Sequence, residues 1–379
     1  MDPHRSPAPA RRRRGAALGA VLLTLALAGC GLRLETPPPA EPVPDALEIV
    51  RRTAVSDALY VAEQAESAVV TLDGRRARLA AELERVADDS REQAAELGGE
   101  YASGLEVQAP VSGSPEPSAA PVEPGDVVTA LVEASGRSRV AAGTTADGPL
   151  ARLLASVGAA QAVSAARVGD LTDAGAPDPV DPSVPAPDAS AEPTEPASAD
   201  ATDAAGALPS ATTDEEEAAA DEDADDVVSS TAPDSDEPAV LPRGLTAEDL
   251  RVLVGSEDSV GYALRVRAAL RDGAARERLA ARADEHSGRA RSWALLAGTA
   301  DTAQDPRQVA YAVPRGTKDK ALVRDVEGDL GTTYASLVAT TAAGTRGVLV
   351  DLLVESALVQ DAWGADPVPF PGLPEQAGD

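Results

Sequence analysis

Aromatic side chains are scarce: two Trp, five Tyr and one Phe in 379 residues. A core therefore has to be built from Ala, Leu and Val, and Ala is the strongest helix former. Runs of β-branched and aromatic residues with period two are missing as well, so no sheet is expected. The single cysteine, Cys30, excludes an internal disulfide and a thiolate metal cluster. Only His4 and His286 are present, which excludes His-rich catalysis. Asp and Glu (63) far outnumber Lys and Arg (33), giving a net charge of −30. Nucleic acid is thereby excluded as a partner, because phosphate binding needs clustered cations. No Ser-His-Asp set, Gly-rich phosphate loop or CxxC pair occurs, so no enzyme is expected.

Residues 1–30 read as a lipoprotein signal peptide. Arg11 to Arg14 form a basic start, and Gly15 to Ala26 form an apolar run too short to span a bilayer. Leu27-Ala28-Gly29-Cys30 then resembles the lipobox of bacterial lipoproteins, with Cys30 as the lipid-attachment residue. This places the protein at the cell membrane, lipid-anchored on the extracytoplasmic face. Residues 31–44, with Pro37-Pro38-Pro39, form a semi-rigid tether.

Residues 45–172 read as an N-terminal helical bundle. Asp45 caps a first helix, Asp73-Gly74 breaks it, and Gly98-Gly99 ends the second. A Pro-rich connection leads to a short third helix, from Asp126 to about Val140, interrupted by Gly136. The fourth runs from Leu150 to Leu171. Residues 173–242 carry 20 acids and no Lys or Arg. Such a segment is expected to be a disordered linker, because it has too little apolar surface to offset the entropy of ordering.

Residues 243–379 give the clearest four-helix pattern. Thr246 with Asp249 forms a capping-box start. Leu250, Leu253, Val254, Glu257, Gly261 and Leu264 share one face, and Asp272-Gly273 turns the chain. Leu279, Ala283, His286, Ala290 and Trp293 form the facing stripe. Glu327 and Tyr334 lie on the third helix, and Gly344 precedes the fourth. Both halves repeat one order of connections: short, long, short. Antiparallel hairpins joined by a long crossover are the ferritin-like topology. The fold class expected is all-α: a ferritin-like four-helix bundle at the C-terminus and a second helical bundle at the N-terminus, related by duplication and joined by the acidic linker.

These residues resemble a family of actinobacterial lipoproteins with a ferritin-like domain of unknown function. The resemblance rests on Glu257 with Tyr262, on His286 followed by Arg289 and Arg291, and on the Tyr311-Ala-Val-Pro314 connection. Glu327, Tyr334, Arg346, Trp363 and the Phe370-Pro-Gly-Leu373 tail complete it. It implies a helical, envelope-anchored protein and supplies no reaction.

Ferritin-like di-metal sites take one Glu from each of two helices and Glu-x-x-His from each of the other two. Here Ala283 stands where the Glu before His286 belongs, and the fourth helix offers Asp351 and Glu355 without a histidine. A di-iron centre is therefore not expected. Two readings of the polar residues remain. One is a single metal ion held by Glu257, His286 and Glu327. The other is a buried polar cluster of Glu257, Tyr262, His286, Glu327 and Arg346, since buried charges survive only when paired. The leading functional expectation is a non-enzymatic binding or structural module without a cofactor. The alternatives are an iron-binding ferritin-like protein with a reduced site, or a carrier of a small apolar ligand. No protein or small-molecule partner follows from the residues.

Overall fold

The computed structural model describes residues 43–72, 76–102, 121–172, 174, 182, 184 and 241–376. The expected signal peptide with Cys30, nearly all of the tether, the Asp73-Gly74 turn and most of the acidic segment lie outside the described residues. Among the described residues there are eight α-helices, one short 3₁₀ helix and no strand. The first set is α1 (Ala46–Thr71), α2 (Ala77–Glu96), α3 (Pro124–Thr144) and α4 (Gly148–Asp170). The second is α5 (Ala247–Ala269), α6 (Gly273–Leu296), α7 (Asp319–Thr340) and α8 (Gly347–Ala362). No described helix is long and apolar enough to cross a membrane.

Local chemistry fixes the helix ends. Asp45 accepts the Glu48 N–H at 2.8 Å, and Asp147 accepts that of Leu150 at 2.7 Å. Thr246 and Asp249 close a reciprocal capping box. Gly98 and Gly99 end α2 in the left-handed region, at φ +97° and +69°.

The helices pair as consecutive hairpins, α1 with α2, α3 with α4, α5 with α6 and α7 with α8. The buried stripes of the two sets match position for position. Leu253, Val254, Val260 and Leu264 of α5 fall where Ala54, Val55, Val61 and Ala65 fall in α1. Leu279, Ala283, His286 and Ala290 of α6 correspond to Leu79, Leu83, Val86 and Ser90 of α2. The His286 and Glu257 positions are thus apolar in the first set, where Val86 and Ala58 stand, whereas Arg282 corresponds to the buried Glu82.

One expectation is corrected. Gly136 does not interrupt α3, which runs unbroken from Pro124 to Thr144. Its missing side chain faces open space, so it costs only helix propensity there. The two helical sets pack together: Pro44–Asp379 is one compact unit. One apolar core includes Val55, Leu154 and Val157 of the first set with Leu253, Leu349 and Leu353 of the second.

Helix α4 lies at the centre, against α3, α7 and α8. Its residues 154–165 are buried without a break. Between Arg152 and Arg167 it has no charged residue, as a helix enclosed on all sides requires. With α3 taken as counterpart of α7 and α4 of α8, the joint is reciprocal: α4 meets α8, α4 meets α7 and α3 meets α8. Same-patch pairing of this kind is the pattern of a two-fold interface.

The C-terminal tail binds across the joint. Gln93 and Ser156 donate to the carbonyls of Pro369 and Pro371 at 3.1 and 2.7 Å, and Arg152 pairs with Glu375. Phe370 and Leu373 are buried in the shared core. Of the acidic segment, Pro182 is buried and Val184 packs on that core.

Candidate functional site

Each helix of the second set sends a charged side chain inward. Glu257 of α5, His286 of α6 and Glu327 of α7 are each 0% exposed. Glu355 of α8 and Arg282 and Arg289 of α6 surround them, mostly covered. Close approach of α5 and α6 brings the first two together. At Gly261, one turn beyond Glu257, a Cβ would stand 3.1 Å from the Ala283 carbonyl oxygen. Only glycine fits there without displacing backbone.

The contacts form one continuous chain. The Tyr334 hydroxyl donates to Glu257 Oε1 at 2.6 Å. Glu257 Oε2 lies 2.6 Å from His286 Nδ1, and His286 Nε2 lies 3.1 Å from Glu327 Oε1. Arg282 donates to both oxygens of Glu327, from Nε at 2.6 Å and Nη2 at 2.9 Å. Its Nη1 reaches Glu355 at 3.0 Å and Glu285, at the exposed rim, at 2.7 Å. Arg289 donates to Glu355 at 2.6 Å. Ser356 donates to the Glu327 carbonyl at 2.6 Å, fixing α8 on α7 beside the cluster.

Electrostatics follow from these pairs. Burial opposes a charge on His286, but its two carboxylate neighbours prevail and raise its pKa above the usual 6.5. Burial alone would raise the Glu327 carboxyl, yet His286 and Arg282 hold it down at about 2. Glu355 is likewise lowered against burial, by Arg289 and Arg282. Burial and the Glu257 carboxylate push the Tyr334 phenol well above its usual value, so it remains a donor. Three carboxylates (Glu257, Glu327, Glu355) face three bases (Arg282, Arg289, His286), which balances the buried charge.

Of the five side chains expected to form the polar cluster, the structure joins Glu257, His286 and Glu327. Tyr262 is not among them. It is half-buried and packs on the Tyr311 ring at 5.8 Å, because it lies five residues past Glu257, about 140° around the helix. Tyr334 supplies the phenol instead. Arg346 is also elsewhere, at the start of α8 and 2% exposed. Its Nε and Nη1 have no hydrogen-bond partner, and burial alone lowers its pKa. Arg282 and Glu355 are members that the apolar periodicity did not single out. Arg282 sits four residues before His286, on the same helix face, and that spacing is the signal in the sequence.

The residues present do not fit a metal centre as they stand. Among the described residues, no group of three or more His, Cys, Asp or Glu is arranged to hold a metal ion. Both ring nitrogens of His286 face carboxylates, and both Glu327 oxygens are occupied by Arg282. A surface groove between α5 and α7, of about 480 Å³, is lined by Ser256, Ser259, Val260, Tyr311, Leu330 and Thr333. None of the cluster side chains lines it.

Compared with known families, residues 250–375 match one described as Domain of unknown function (DUF4439). The match covers the second helical set from α5 to the tail, and so contains every member of the polar cluster. No curated protein and no solved structure matches the chain.

Proposed function

We propose that the protein is a non-enzymatic lipoprotein of the cell envelope, anchored through Cys30 on the extracytoplasmic face. Its helical unit serves as a structural or binding module, and its second set is a ferritin-like bundle of the kind carried by actinobacterial lipoproteins. The repeated short-long-short connections and the inward acidic side chains on three of the second set's helices support the ferritin-like reading. The basic start, apolar run and Leu-Ala-Gly-Cys sequence ending at Cys30 support the anchor.

One observation carries the non-enzymatic reading: Glu257, His286 and Glu327 are fully covered, and their polar side-chain atoms face partners in the protein. A general acid or base must reach its substrate within hydrogen-bonding distance. A closed, charge-balanced cluster instead fixes the register of four helices.

Native mass spectrometry of detergent-extracted protein tests this. The expected species begins at a diacylglyceryl-modified Cys30 and carries nothing else, and Cys30→Ala yields unlipidated precursor. Stoichiometric iron or a co-purifying apolar molecule would contradict the structural reading, and lipid on the Cys30→Ala protein would contradict the anchor.

A further inference from the structure

The two sets also match at the start of their fourth helices. Helix α4 begins at Gly148 behind Asp147, and α8 begins at Gly347 behind Arg346. From there Leu154 and Ala155 fall where Leu353 and Val354 fall, and all four are buried. Asp147 and Arg346 are therefore counterparts of opposite charge. The Asp147 carboxylate accepts the Leu150 N–H at 2.7 Å, supplying the negative group that a helix N-terminus favours. No side chain caps α8.

An arginine in that place adds a full positive charge to the partial one carried by the first N–H groups. Arg346 is 2% exposed, and its Nε and Nη1 have no partner among the described residues. Glu82, Glu257, Arg267, Arg282 and Glu327 are buried too, but each of them meets an opposite charge. Asp351, the first carboxylate along α8, is held by Arg139 at 2.6 Å. A buried guanidinium without a counter-charge is costly unless an anion joins it. Gly344 and Gly347, on either side of Arg346, line a surface groove of about 470 Å³ between α3 and α8. A Cβ at Gly347 would meet nothing within 4 Å, so the backbone of the first turn can be approached closely.

We propose that the start of α8 binds a small oxyanion of the phosphate class, held between the Arg346 guanidinium and the uncapped N–H groups of Gly347 and Val348. A planar fork of N–H donors together with backbone N–H groups at a helix start suits a tetrahedral oxyanion. The net charge of −30 opposes docking on an anionic lipid surface, so the ligand is a soluble ion rather than a lipid headgroup. This goes beyond the structural reading and depends on neither the polar cluster nor the anchor.

The test uses the full-length protein and inorganic phosphate, with potassium chloride at equal ionic strength as reference. Calorimetric titration should show one phosphate per chain. The thermal midpoint should rise saturably, since a ligand bound only by the folded state stabilises it. Phosphate also stabilises proteins through its exclusion from their surface, a rise that every variant shares. Arg346→Gln should keep only that shared rise and bind phosphate at least about tenfold more weakly. Arg346→Lys should retain a weakened response. Arg346→Asp, which recreates the cap of the first set, should show no binding heat. Asp147→Asn, at the counterpart position, should bind phosphate as the parent does. The proposal is overturned if the parent gives no saturable one-to-one response, a result that needs no variant to fold. It is equally overturned if Arg346→Gln or Arg346→Asp binds as the parent does, or if phosphatidylglycerol vesicles bind and phosphate does not. A freely exchanging anion leaves the mass of the extracted protein unchanged, so iron or an apolar molecule in that mass tests the functional reading separately.

Discussion

His286 Nδ1 and Glu257 Oε2 lie 2.6 Å apart, with both side chains fully buried. Glu257 serves a second donor too, the Tyr334 hydroxyl, at its other oxygen. A carboxylate accepts at both positions, whereas an amide accepts at one and donates at the other. Glu257→Gln should therefore set its NH₂ against one of these donors. A loss of about 1.5–3 kcal/mol is expected, the range for a buried hydrogen bond to a charged group. Urea denaturation of the parent and variant measures it, and an unchanged midpoint would contradict the account.

Stability should fall at both ends of the pH scale. The folded Glu327 carboxyl is lowered from 4.5 to about 2, so its contribution is complete above 4.5 and is lost as pH falls towards 2. The folded His286 pKa is raised above 6.5, so its contribution is complete below 6.5 and is lost as pH rises through the raised value. His286→Gln should flatten the alkaline arm of a thermal-midpoint profile and leave much of the acid arm. An alkaline arm of unchanged steepness in that variant would argue against the pairing.

Two glycines should resist any side chain. A Cβ on Gly148 would collide with the Ala339 carbonyl oxygen, across the joint between the sets. On Gly261 it would crowd Ser287 Oγ and the Ala283 carbonyl inside the α5–α6 hairpin. Backbone cannot yield as a flexible side chain does, so each glycine-to-alanine change should cost about 1–3 kcal/mol. Gly136→Ala, facing open space, should be neutral or stabilising. Chemical denaturation of the three single variants gives the ranking directly.

The joint should hold without covalent connection. A protease site inserted within residues 205–210 would separate the two sets after folding. The cleaved halves should co-elute as one species of unchanged size, because they share a core and are tied by Arg139–Asp351 and Arg167–Asp361 ion pairs. Elution as two separate fragments would show that the core does not join them.

Much of this was legible in the sequence. Thr246 with Asp249 marks the start of α5, and Asp272-Gly273 fixes the hairpin that puts Glu257 opposite His286. Other features needed three dimensions. The spacing of Arg282 from His286 marks its helix face, but an arginine there reads as a long stem reaching for water, so the burial of its head group needed the structure. Tyr262 follows Glu257 closely in the chain but points off its face. The run from Leu153 to Ala166 in α4 announces enclosure by its lack of charge. What encloses it, the α7–α8 hairpin, is set by contacts between residues about two hundred positions apart, which no local periodicity encodes.

The central claim is that His286 is a buried cation locked between two carboxylates. Only one other histidine, His4, is in the chain, so ¹⁵N-imidazole spectra report His286 with almost no overlap. At pH 6.5, where a free imidazole is half protonated, the account predicts that Nδ1 and Nε2 are both predominantly protonated, with slow exchange against solvent. A neutral ring with one protonated nitrogen, titrating near 6.5 as a free imidazole does, would contradict it.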